Sequence, residues 1–227
     1  MKKIPILLSL LLFPLLLSAA PMFEEDLHYS SVIPTQPGGE KGRIQVMEFF
    51  WYGCGHCYKF EPYLEAWLAK KPADVDFVKV PGLFHRSPEE IKPGMSGLEQ
   101  FRPNMLLHAR TYYALELMGA DPEIHRKIFY AMHEEGRNLA TPAEMDEFLA
   151  GQGVDMTAYH NAMSSFAVHT QVNRTVSLVK RYDLHGVPAL AVDGKYMIGG
   201  LEGTTMIQVL DYLIDRVRQE KPAATSE

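Results

Sequence analysis

The sequence predicts an α/β fold carrying an inserted all-helical block. Three observations predict it. The run RIQVMEFFW at 43–51 has the pattern of a buried strand and gives way to a helical pattern at CGHC. Beyond residue 100 the patterning is helical only, and strand signals return near the C-terminus at PALAVDGKYMIGG, ahead of one last amphipathic helix.

The chain of 227 residues opens MKKIPILLSLLLFPLLLSAAP, with Lys2 and Lys3 before an apolar stretch at 4–17 and small residues at 18–20. This is the pattern of a secretory signal peptide, expected over residues 1–20 with the cut after Ala19 or Ala20. The apolar stretch is shorter than the roughly 20 residues of a membrane-spanning helix, and no cysteine stands at the cut to take a lipid. The mature chain is therefore expected to be soluble and exported. Without the signal, 20 basic residues face 28 acidic ones, which disfavours nucleic acid and anionic membranes as partners. The remaining length suits one large domain, or a small fold with an insertion.

Taken in order, 43–51 is β-branched, aromatic and nearly apolar throughout, as in a strand buried on both faces. Phe60, Tyr63, Leu64, Trp67 and Leu68 then recur at helical spacing until Pro72. A second strand, VDFVKV at 75–80, completes a βαβ unit. The stretch 101–119 is apolar on almost every side, a buried helix. Asp121 and Pro122 open another, ending at Gly136. Thr141, Pro142 and Glu144 form a capping box for a helix that stops at Gly151. A long helix over 166–182 carries Val172, Val176 and Val179 on one stripe, and Asp193 and Gly194 supply the turn of a hairpin. The final helix starts at Thr204, and the tail EKPAATSE is expected to fray. This order is a thioredoxin-like α/β layout: a first part over 21–85, an inserted helical domain over 86–165 and a second part over 166–227.

The two cysteines, Cys54 and Cys57, are the only ones in the chain and sit at a strand-to-helix junction. A bridge between them closes a loop of two residues, too short to stabilise an exported protein much. Zinc would need two further ligands from histidines that show no close pairing. A c-type haem attachment needs histidine where Tyr58 stands. An inert surface disulfide in a binding module is the remaining bland alternative. Redox chemistry fits the position best, because a cysteine opening a helix faces unpaired N–H groups and the positive end of the dipole, and thiolate is the attacking species. Cys54 is therefore the expected nucleophile, His56 its electrostatic support and Cys57 the buried resolving thiol. Whatever stabilises the thiolate stabilises only the reduced state and makes the disulfide more oxidising.

VMEFFWYGCGHCYKFEP, LATPAEMDEFLAGQGVD, SSFAVHTQV and GVPALAVDGKY together resemble the DsbA family of periplasmic thiol:disulfide oxidoreductases, over nearly all of the mature chain. The resemblance implies a monomeric periplasmic dithiol oxidase without cofactor or bound metal. Its partners would be folding exported proteins with free thiols, and an inner-membrane DsbB-type quinone-linked oxidase would reoxidise it. It also implies a cis-proline loop at Val187 and Pro188 that pairs with substrate backbone. Glu48, a carboxylate inside a buried strand, is costly unless paired or protonated. The resemblance makes it a proton handler for the buried cysteine, with Lys79 on the next strand beside it.

Gly55 stands where better-known members have proline, which suggests a somewhat less oxidising disulfide. His185, just before the proline loop, reads as a solvated helix-end residue. Two other functions use the same residues: a reductant with the opposite electron flow, and a substrate-binding chaperone whose disulfide is incidental.

Overall fold

A computed structural model describes residues 22–221 apart from Lys41, Ser87 and Ser96. The signal peptide expected at 1–20 and residues 222–227 of the tail expected to fray lie outside the described residues, whereas Glu220 and Lys221 of that tail are held, Glu220 ending the last helix and accepting from the Tyr196 hydroxyl at 2.6 Å. Five strands form one mixed sheet: β1 (Ser30–Ser31), β2 (Ile44–Phe50), β3 (Val75–Pro81), β4 (Ala189–Val192) and β5 (Tyr196–Gly199), in the order β1-β5-β4-β2-β3. β2 runs parallel to β3, with Glu48 opposite Lys79, and antiparallel to β4, with Glu48 opposite Leu190. As an interior strand between β4 and β3, β2 has both faces covered, which is why its sequence is apolar rather than alternating.

The helices are α1 (Gly55–Leu68), α2 (Pro103–Leu117), α3 (Glu123–His133), α4 (Pro142–Gly151), α5 (Met156–Met163), α6 (Phe166–Arg181) and α7 (Gly203–Glu220). α1 and α7 cover one face of the sheet, where Phe60, Leu64 and Trp67 pack with Val46, Leu210 and Leu213. α6 covers the other face, setting Leu178 and Tyr182 on Met47 and Phe49. Its N-terminal half turns instead into the helical block, where Val168 and Val172 join Met105, Tyr112 and Tyr159. That second core reaches the two-cysteine motif directly, since Phe50, Tyr52 and Cys57 belong to it.

The local signals are realised in detail. Thr141 and Glu144 form the capping box of α4, and the Asp121 side chain accepts from the Glu123 N–H at the start of α3. α5 starts on Asp155, whose carboxylate accepts from two backbone N–H groups. Asp193 and Gly194 take positive φ (50° and 69°), as the two-residue hairpin turn between β4 and β5 requires. The Asp193 carboxylate also holds the Gly39 N–H at 2.9 Å and the Lys221 ammonium at 2.9 Å, tying the arm before β2 to the end of α7.

At Gly194 a Cβ would lie 2.1 Å from the Gln36 carbonyl oxygen, so a side chain meets backbone as well as an unfavourable φ. Gly194→Ala is expected to lower stability by roughly 1–3 kcal/mol, the scale of a strained backbone site. Urea unfolding measures this, and an unchanged midpoint would mean that the arm around Gln36 gives way without cost.

Candidate active site

The chain leaves β2 at Phe50, crosses Trp51, Tyr52 and Gly53, and enters α1 with Cys54 as its N-cap residue. The Cys54 N–H donates to the Trp51 carbonyl at 2.9 Å, closing a tight turn. Cys54 has extended backbone geometry (φ −94°, ψ 111°), so its sulfur faces the open first turn of the helix and accepts from the Cys57 N–H at 3.3 Å. A sulfur thus occupies the place a serine or aspartate oxygen usually fills at a helix start.

Both cysteines are thiols in this structure, with Cys54 half-buried and Cys57 fully buried. The hydrogen bond from the Cys57 side chain is the largest influence on Cys54. Together with the backbone N–H groups of Cys57 and His56 and the charge of His56, it outweighs burial and brings Cys54 down from 9.0 to about 6. Burial drives Cys57 the other way, far above an ordinary thiol, and the neighbouring Cys54 and Glu48 add to the effect. One sulfur is disposed to exist as thiolate, and the other is held as a thiol.

The Cys54 thiol also donates to the Val187 carbonyl at 3.3 Å, and the Val187–Pro188 peptide bond is cis. A broad groove runs from this loop past His56 and Tyr63, bounded by Leu27, Ile33, Leu184 and Leu201. Leu27, Ile33 and Tyr63 are exposed despite being apolar. The His185 side chain is 84% exposed and lies 3.1 Å from the Asp183 carboxylate.

Beneath the motif, Glu48 is completely buried and Lys79 lies between two carboxylates, 2.7 Å from Glu48 Oε2 and 2.7 Å from Glu61 Oε1. Burial raises Glu48 to about 7 in spite of Lys79, and its Oε1 has no hydrogen-bond partner among the described residues. Burial would raise Glu61 too, but His125 and Lys79 overcome it and hold Glu61 at about 2. Lys79 remains charged, because the two carboxylates more than offset its burial. Glu61 was invisible as a site residue in the sequence, where an acid seven positions into an amphipathic helix reads as solvated.

Three histidines of the helical block also went unnoticed, and all three bond to the two residues before Gly53. The Trp51 indole N–H donates to His108 Nδ1 at 3.0 Å. The Tyr52 hydroxyl lies 2.9 Å from His125 Nδ1, and the Tyr52 carbonyl accepts from His133 Nε2 at 2.8 Å. Scattered along two helices, they carry no common spacing by which sequence could group them.

The sheet order, the cysteine N-cap and the adjacent cis-proline together define a thioredoxin-fold thiol:disulfide oxidoreductase with a helical insertion. A family model described as a DSBA-like thioredoxin domain matches residues 45–214, and the chain belongs to that family. The thiol:disulfide interchange protein DsbA of Azotobacter vinelandii is 43% identical over 192 residues, covering 82% of this chain and 81% of that protein. The protein of the same name from Pseudomonas aeruginosa is 38% identical over 200 residues, covering 86% and 84%. A crystal structure of Pseudomonas aeruginosa DsbA superposes with a TM-score of 0.75 at 35% identity, covering 87% of this chain and 96% of that one. The oxidoreductase DsbA from Xylella fastidiosa superposes at 0.69 with 28% identity, covering 85% and 96%.

The lowered Cys54 value has a consequence for stability. A group depressed on folding contributes stability that is complete above its unfolded value, near 9.0, and lost as pH falls through about 6. Only the reduced protein has this contribution. Reduced protein should therefore unfold at higher denaturant than oxidised protein at pH 8.5, with the gap narrowing towards pH 5.5. A gap that is reversed at pH 8.5, or equal at the two pH values, contradicts the assignment of the thiolate to Cys54.

Proposed function

We propose that this chain is a monomeric periplasmic dithiol oxidase that passes its Cys54–Cys57 disulfide to exported proteins as they fold. The observation that carries the reading is the opposition between the two sulfurs: a half-buried Cys54 favouring thiolate and a buried Cys57 favouring thiol, three residues apart at one helix end. A disulfide between such partners is easily reduced, because reduction releases a stabilised thiolate.

In the reaction a substrate thiolate attacks the Cys54 sulfur, the Cys54–Cys57 bond breaks, and Cys57 takes the electron pair. Glu48, raised to about 7, can be protonated near neutral pH and is the source of the proton that Cys57 then takes up. Lys79 positions it from 2.7 Å. A second substrate thiolate attacks the substrate sulfur of the mixed disulfide and Cys54 leaves as thiolate. The substrate has lost two electrons and the enzyme has gained them. Val187 meets Cys54 through its carbonyl, Val187 and Pro188 offer backbone to an extended substrate segment, and the groove beside them offers it apolar surface. Electrons then pass to an inner-membrane DsbB-type oxidase linked to quinone. The relatives' name as thiol:disulfide interchange proteins supports the chemistry, and the sequence's secretory leader pattern supports the compartment.

Equilibration with glutathione buffers tests the direction of electron flow. The pair is expected to be more oxidising than glutathione, whereas a strongly reducing pair would mark a reductant. Cys54→Ser should abolish oxidation of a reduced unfolded substrate, and retained activity would point to a chaperone. Glu48→Gln should remove an inflection near pH 7 from the rate of thiol exchange. A profile identical to wild type would reduce Glu48 to a structural partner of Lys79.

A further inference from the structure

The segment between β2 and α1 has left the sheet and is not yet helical, so its polar groups must find partners elsewhere. They find them on the inserted helices. His108 takes the Trp51 indole N–H, and its Nε2–H donates to the Leu139 carbonyl at 2.8 Å, so a single neutral tautomer satisfies both contacts. In His125, Nδ1 meets the Tyr52 hydroxyl and Nε2 points toward Glu61 Oε1, 3.5 Å away. Burial keeps both rings neutral, His108 at about 4 and His125 below its ordinary value.

His133 differs from these two because it grips both sides of the cysteine motif. Its Nε2–H donates to the Tyr52 carbonyl, two residues before Cys54. Its ring lies flat on Tyr58, immediately after Cys57, with centroids 5.1 Å apart and 15° between planes. Its Nδ1 would be 3.9 Å from a Cβ at position 55, inside the motif. The turn it holds is the one that aims Cys54, since the Cys54 N–H bonds to Trp51 and the Cys54 sulfur must meet the Cys57 N–H.

We propose that His133 is a positioning residue for the redox reaction: by holding the Tyr52 carbonyl and Tyr58, it lets the helical insertion set how well the first turn of α1 supports the Cys54 thiolate, and hence how oxidising the disulfide is. The proposal rests on the reading of Cys54 and Cys57 as a cycling pair. His133 does not line the groove beside the cis-proline loop, and its contacts are with Tyr52, Tyr58 and Phe129, so its influence passes through the geometry of that segment.

The test compares His133→Ala with His133→Gln. Glutamine can present an N–H to the Tyr52 carbonyl without an ionisable ring, and alanine cannot. Two quantities are read: the Cys54 thiolate titration by ultraviolet absorbance, which needs no catalytic cycling, and the equilibrium constant with glutathione. His133→Ala should move the titration to higher pH and make the disulfide less oxidising by about three- to tenfold, the scale of one hydrogen bond. His133→Gln should recover most of both. A wild-type protein that never equilibrates with glutathione overturns the function, while the titration still judges the proposal. A His133→Ala protein that melts earlier but titrates like wild type overturns the proposal, leaving His133 as packing alone. So does a His133→Gln shift as large as that of alanine, because the hydrogen bond would then not be the cause.

Discussion

The N-terminus of α1 is the constraint on which the other features of the site depend. A helix leaves the N–H groups of its first turn without internal carbonyl partners, and here the residue placed to accept from them is a cysteine. The usual reward of an N-cap, a hydrogen bond to the helix start, becomes a preference for thiolate. Cys57 sits one turn inside the same helix, within the core, and the geometry that favours charge at the first sulfur opposes it at the second. The sequence separation of three residues is what allows both effects to act on one disulfide.

Beneath the buried second sulfur, Lys79 is shared unequally between two carboxylates. One ammonium serves two carboxylates at equal distance, so the cluster carries one negative charge too many for a dry interior. Glu61 has additional help from His125 and some access to a surface groove, and it keeps its charge. Among the described residues Glu48 has Lys79 alone and one of its oxygens lacks a partner, and burial raises it to about 7. The carboxylate that burial raises is thus the less well satisfied one. Its place in the middle of β2, opposite Lys79 on β3, is a direct result of parallel strand register.

Much of this was legible because it depends on local chemistry. The change of period at Cys54, the Thr141 capping box and the Asp193–Gly194 turn are each decided by a few adjacent residues, and each lies where the sequence places it. Glu48 stood out as a charge in a strand that otherwise reads as buried, whereas Lys79 entered only with the family resemblance. β1 could not be read, since two serines pairing with the edge of β5 carry no periodicity. The boundary between α5 and its neighbours was hidden inside continuous helical patterning, although Asp155 is a cap signal in retrospect. Glu61 and the three histidines were hidden for a different reason. Each is an ordinary polar residue on its own helix and gains its role only from what another element brings opposite it.

The Trp51–Tyr52–Gly53 segment shows how far the two parts of the molecule depend on each other. Any Cβ at Gly53 would fall 2.4 Å from the Trp51 ring, so glycine is demanded by the placement of the indole. That placement is held by His108, on α2 of the inserted block, and His108 is anchored in turn by the carbonyl of Leu139 ahead of α4. The glycine preceding the first cysteine is therefore required by residues more than fifty positions away, across what the chain order presents as a domain boundary. A thioredoxin unit stripped of its insertion would lose the partners of the Trp51 indole, the Tyr52 hydroxyl and the Tyr52 carbonyl together. All three groups would then need water, at the one place where the backbone must stay fixed for Cys54 to face the helix start. The helical block is in this sense part of the redox site, and the site's geometry is a property of the whole chain.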